Sequence, residues 1–170
     1  NVKFIVAHIG HYNCLNEDKL HVIDEIIQIL NKTDFGNVKI CIENVPRWLN
    51  LSFENEPIIS DADDLRYMLD RCPKLGSVID VDHVAINTVF KQFYDEIKQK
   101  YDSVDSLTLN QKAVEDKISA KARENPLKYQ DAIRIEIDNF FNLIKPDIIH
   151  AVGSDYFNYQ YSNNLPLHGE

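Results

Sequence analysis

Val38-Lys39-Ile40-Cys41-Ile42-Glu43 is a short, β-branched and largely apolar run that ends on a carboxylate. A near-continuous apolar run of this length is what a strand buried on both faces of a parallel sheet requires. Three other stretches share the plan. Asn1–His8 ends on Val6-Ala7-His8, and Ser77–Asp80 ends on Val78-Ile79-Asp80, with His83 three residues later. Asp147–Ala151 carries Ile148-Ile149-His150, and Leu165-Pro166-Leu167-His168 is a weaker fifth instance. Helical patterns separate the first four. In alternating strand and helix the parallel strands share one direction, so their C-terminal ends meet on one rim.

Outward from these strands, Asn16 is a candidate N-cap for a helix with Leu20, Ile23, Ile26, Ile27 and Leu30 on its apolar face; Gly36 turns the chain after it. Asn44 to Ile59 reads as one long loop with Pro46, Trp48 and Pro57; loops of that length inside a compact domain tend to be functional or disordered. Ser60 and Asp61 can cap a helix bearing Leu65, Met68 and Leu69, limited by Pro73. Val89, Phe90, Phe93, Ile97 and Tyr101 make a further helical stripe. Asp102–Asn125 is polar, with a capping-box spacing at Thr108 and Gln111 and a thin apolar edge at Val114, Ile118 and Ala122. Pro126 opens the last helix, whose buried face is Tyr129, Ile133, Ile137, Phe140, Phe141 and Ile144.

The predicted order is β-α-β-α-β-α-α-α-β. Four parallel strands cannot close a barrel, which takes about eight. The expected fold is therefore α/β, either a small open sheet or the central part of a (β/α)8 TIM barrel. The chain starts on a strand pattern without Met and stops at His168-Gly169-Glu170 in an apparent loop, which favours a piece of a longer barrel protein. Residues 1–170 are read as a single domain, with 102–125 as a helical insertion projecting from it as a lid or as a subunit contact in a homo-oligomer; a solvated helical decoration is the plainer alternative.

Composition narrows the function. Hydrophobic residues at 44% and charged residues at 26% describe an ordinary globular chain, with no apolar run long enough for a membrane span and no signal-peptide pattern. The net charge of −9 disfavours a nucleic-acid partner, because that affinity rests on Lys and Arg. Cys14, Cys41 and Cys72 are odd in number and lack metal-type spacing, so reduced thiols and a cytoplasmic location are expected.

The chemistry lies at the strand ends. An ionised carboxylate closing an apolar strand is costly unless it is paired or bound to a cation. For Glu43 or Asp80 alone, a helix cap or a salt bridge would suffice. Together, with His150, they suggest a metal site of oxygen ligands and one imidazole, suited to Mn²⁺, Mg²⁺, Co²⁺ or Zn²⁺. His83 could reach a second metal or a substrate hydroxyl, and His8 ends the first strand, where Gly10 permits a sharp turn. Trp48 is either a wall of the pocket or a surface-packed aromatic. His11 and His21 read as loop and helix-surface residues. The chain contains no phosphate-cradling glycine loop, no G-x-S-x-G and no H-E-x-x-H.

Ile42-Glu43-Asn44 followed by Pro46 resembles the EN-x-P strand end of the xylose isomerase-like TIM barrels. That superfamily includes sugar (phosphate) isomerases and epimerases and the type 2 apurinic endonucleases. Ile79-Asp80-Val81-Asp82-His83 is similar to its D-x-x-H strand end, Val6-Ala7-His8-Ile9-Gly10 to its H-x-G segment, and Ile149-His150 to its later strand-end histidine. Asn164-Leu165-Pro166-Leu167-His168-Gly169-Glu170 resembles the loop written H-L-P-L-G-E-G. The resemblance implies Glu43, Asp80 and His150 as metal ligands, His83 against substrate or a second metal, and His8 lining the pocket. A further glutamate, from a strand beyond Glu170, would complete the set. Ser162, Asn164 and Val152 stand where the nuclease-like members carry further metal ligands.

The leading expectation is a metal-dependent isomerase or epimerase acting on a small sugar or related polyol, with one divalent ion and with Glu43 or the later glutamate moving a proton next to a carbonyl. The alternatives are an apurinic/apyrimidinic endonuclease-type metal-dependent phosphodiesterase and a non-catalytic barrel relative.

Overall fold

The computed structural model describes residues 3–47, 55–101 and 126–151. Trp48, the 102–125 insertion and the motif residues after Ala151 lie outside them. Four strands run parallel in the order β1 (Phe4–Ala7), β3 (Lys39–Glu43), β5 (Gly76–Asp80), β6 (Ile148–His150). Helices α1 (Lys19–Lys32), α2 (Ala62–Arg71), α3 (Val81–Tyr101) and α4 (Pro126–Leu143) connect or follow them. The result is mixed α/β: a curled half-barrel sheet of four parallel strands with four helices among the described residues. No helix among those residues is long and apolar enough to cross a membrane.

The alternation of side chains along a strand sorts this sheet. Ile42 and Ile79 face the helices and pack with Ile23 and Ile27 of α1, Leu65 and Met68 of α2, and Phe140. Pro126 does open α4, and Tyr129, Ile133, Phe140 and Ile144 are buried as its pattern predicts. Neighbouring positions point the other way. Parallel register aligns Cys41 with Gly76, Glu43 with Val78, and Asp80 with His150. The strand ends expected to converge therefore do so, on one face.

Several details differ from expectation. The first strand is shorter than Asn1–His8 and is not buried: Phe4, Ile5 and Val6 are each between 42% and 50% exposed, because among the described residues β1 pairs only with β3 and lies at the sheet edge. The cap of α1 is Asp18, whose carboxylate accepts the Leu20 and His21 N–H groups; Asn16 is held in the preceding turn by Asn13. Leu20, at the helix start, is exposed. The long loop after Glu43 contains a strand, β4 (Asn55–Pro57), antiparallel to β2 (His11–Asn13). Neither three-residue strand has an alternating apolar pattern to betray it.

Asp61 occupies the N-cap position of α2, but its carboxylate is turned elsewhere. It meets Arg47 Nη2 at 2.7 Å and Lys91 Nζ at 2.8 Å, while Arg47 Nη1 reaches Glu56 at 3.3 Å. These pairs tie the start of the loop after β3 to β4, α2 and α3. Burial pushes the Asp61 carboxyl up, yet the two cations more than offset this and hold it below the usual range. Asp147 is likewise lowered: burial is outweighed by the Lys39 ammonium and the Ser77 amide. In both, the folded state favours the ionised form, so the stabilisation is present above the ordinary carboxylate pKa and is lost as acid titrates the folded form. Unfolding free energy measured in urea should fall steadily below about pH 4, and Asp61→Asn should flatten that acid limb.

At the N-terminal end of the strands, Gly76 is closely covered. A Cβ there would lie 2.6 Å from Cys41 Sγ, 2.7 Å from Asp147 Oδ2 and 2.8 Å from Lys39 Cε. Asp147 cannot yield cheaply, because Oδ2 accepts the Ser77 N–H at 3.0 Å and Oδ1 pairs with Lys39. Gly76→Ala should cost about 1–3 kcal/mol of stability through overpacking, read as a lower urea midpoint with unchanged slope.

Candidate metal centre

Glu43 ends β3 and is 5% exposed; Asp80 ends β5 and is fully buried. Asp80 turns at once into α3 and caps it. Its Oδ1 accepts the N–H groups of Asp82 at 2.8 Å and His83 at 3.1 Å, which are the second and third helical donors. His83 consequently lies in the first turn of α3. The capping role accounts for one oxygen only. Asp80 Oδ2 is buried with no hydrogen bond of acceptable geometry, and it lies 2.9 Å from His150 Nδ1 and 3.6 Å from His83 Nε2.

His150, on β6 beside Asp80, completes the group. Its Nδ1 is 3.0 Å from Glu43 Oε1, so one imidazole edge faces both carboxylates. The Glu43 hydrogen bond is the main cause of a raised His150 pKa; partial burial opposes it, and the Asp80 and Glu43 charges add to it. Ligand atoms of Glu43, Asp80 and His150 all lie within 4.8 Å of one another. Two hard oxygen donors and a borderline nitrogen fit Mn²⁺, Mg²⁺, Co²⁺ or Zn²⁺. Asp80 Oδ2, buried and facing the His150 imidazole without a hydrogen bond of its own, is the atom to which such an ion would give a further partner. A cation held by His150 Nδ1 would displace the proton that this nitrogen donates to Glu43.

Two other histidines approach. His8, just past β1 and half-exposed, donates from Nε2 to Glu43 Oε2 at 2.6 Å. His83 is buried and stands edge-on to His8, ring centres 6.2 Å apart. His11 lies on β2, where burial and the neighbouring His8 lower its pKa; His21 is exposed on α1 beside Glu25. The sequence-predicted residues Glu43, Asp80, His150, His8 and His83 are thus brought together, while Trp48 falls outside the described residues.

Two asparagines that the sequence did not single out organise this rim. Asn44 joins β3 to β5 through its side chain. Asn87, buried on α3, donates to the carbonyls of Val45 and Ser60 and accepts the Arg47 N–H. The EN-x-P pattern contained Asn44; no pattern pointed to Asn87.

No family model, curated protein or solved structure matches the chain. The rim geometry therefore stands on its own residues. If it holds a divalent ion, Mn²⁺ or Zn²⁺ at 100 times its Kd should raise the unfolding free energy by about 2.7 kcal/mol. The rise in melting temperature should vanish in Asp80→Ala; an equal rise in that variant would place the ion elsewhere.

Proposed function

We propose that this protein is a metal-dependent isomerase or epimerase of a small sugar or related polyol, acting at the rim formed by Glu43, Asp80 and His150. The observation that carries the reading is the convergence of those three ligand atoms within 4.8 Å at the C-terminal ends of neighbouring parallel strands. Ligand sites in parallel α/β sheets characteristically lie at that end. The resemblance of the same residues to xylose isomerase-like strand ends supports it further.

A divalent ion at this position would act as a Lewis acid toward adjacent carbonyl and hydroxyl oxygens. Glu43 presents its two oxygens differently: Oε1 toward His150, Oε2 toward His8. Oε1 would be the oxygen that holds the ion. Oε2 would take a proton from the carbon next to the carbonyl and return it to the neighbouring carbon, and His8, hydrogen-bonded to that oxygen, would steady it in both steps. His83 orients a substrate hydroxyl beside Asp80.

A second reading, a metal-dependent phosphodiesterase of the apurinic endonuclease type, draws on the two extra imidazoles: His8 on Glu43 and His83 near Asp80 offer more donors than one ion needs. The net charge of −9 weighs against it.

The test is a panel of free and phosphorylated aldoses and ketoses, assayed with each of the four ions, alongside a nicking assay on duplex DNA bearing an abasic site. Isomerisation is expected, with Glu43→Gln lowering kcat by about 10²–10⁴-fold and His83→Ala acting mainly on KM. Nicking without isomerisation would establish the second reading instead.

A further inference from the structure

Backbone pairing between β3 and β5 is registered only as far as Glu43 opposite Val78, whereas β5 continues two residues to Asp80. The Asp80 peptide groups on that side are served by a side chain. Asn44, fully buried, accepts the Asp80 N–H on Oδ1 at 2.8 Å and donates from Nδ2 to the Asp80 carbonyl at 3.0 Å. Its carboxamide continues the sheet in place of a peptide group. The main-chain carbonyl of Asn44 also accepts from His83 Nδ1 at 2.7 Å. A carbonyl cannot donate, so this contact requires His83 to carry a proton on Nδ1.

We infer that Asn44 is a positioning residue, which sets the spacing of Glu43 and Asp80 and the orientation of His83 around the cation site. The inference rests on the metal reading given above. Asn44 adjoins Glu43 in the chain and grips Asp80 at both its peptide groups, so the two ligand-bearing strand ends cannot slide or twist independently. The carboxamide is suited to this by having a donor and an acceptor at the tip of a short stem. Alanine lacks both groups, and glutamine would place them one methylene too far. Groups that orient metal ligands commonly change affinity by about 10–100-fold when removed.

The test uses the full chain and Co²⁺, followed by visible absorption, with ¹⁵N NMR of the metal-free protein. The wild type should show His83 protonated on Nδ1 and an Asp80 amide slow to exchange. Asn44→Ala should weaken Co²⁺ binding by about 10–100-fold, shift the absorption band and speed exchange of the Asp80 amide. Met68→Ala, a core variant on α2 on the helix-facing side of the sheet, should lose stability while keeping wild-type affinity and band. Unchanged Co²⁺ affinity and band in Asn44→Ala would overturn the inference. So would a wild-type His83 protonated on Nε2, a result that does not depend on the variant folding. A wild type that takes up no Co²⁺ would remove the metal reading, while the tautomer and the Asp80 amide would still decide whether Asn44 holds these groups.

Discussion

Glu43 and Asp80 are carboxylates withheld from water on adjacent parallel strands, and the surrounding structure is built to meet the cost of that burial. Asp80 is met on one oxygen by the first turn of α3, where two amide N–H groups and the positive end of the helix face it. Glu43 is met on each oxygen by a histidine, His150 on one side and His8 on the other. What is left over is Asp80 Oδ2, buried and turned toward the same imidazole that serves Glu43. An arrangement that only had to cap a helix would have no use for a second buried carboxylate beside the cap. The proposed cation site rests on that surplus of acceptor oxygen.

The two ends of the sheet do different work. At the N-terminal end, Gly76 leaves room for Cys41, Lys39 and Asp147 to close over the strand, and the Lys39–Asp147 pair links β3 to the segment entering β6. That packing fixes the register on which the other end depends, since a slip of one residue would turn Glu43 and Asp80 into the helix-facing core. At the C-terminal end the backbone pairing gives out, and side chains take over. Asn44 continues β3 toward β5, Asn87 holds the segments after β3 and before α2, and Arg47 with Asp61 and Lys91 anchors the chain beyond. Polar side chains substitute for sheet at the end where the strand ends carry Glu43, Asp80 and His150.

The sequence made the main elements legible because burial leaves a periodic trace. The runs ending at Glu43 and Asp80, the stripes of α2 and α4, and Ile23 and Ile27 of α1 reflect apolar side chains hidden at strand or helix spacing, whereas Ile149, in the run ending at His150, is 55% exposed. The short β2–β4 pair left no such trace, since its strands carry His11-Tyr12-Asn13 and Asn55-Glu56-Pro57, held by backbone bonds between distant segments. The cap of α1 was misplaced by two residues because Asn16 and Asp18 are both competent acceptors and only the backbone path selects between them. β1 was expected to be buried on composition, but exposure depends on what lies beside a strand, which its own residues do not encode.

Residue identity and spacing determined that four apolar runs would each end on a group able to bind a cation or move a proton, and that helices would separate them. Those are local properties, set by side-chain chemistry and by periods of two and 3.6 residues. Tertiary structure alone decided that His150 bridges two carboxylates, that one oxygen of Asp80 caps a helix while the other does not, and that Asn44 joins the two strand ends. Each of these depends on ångström-scale distances between segments tens of residues apart. Such distances follow from register and packing across the whole sheet, and no stretch of the chain carries them by itself.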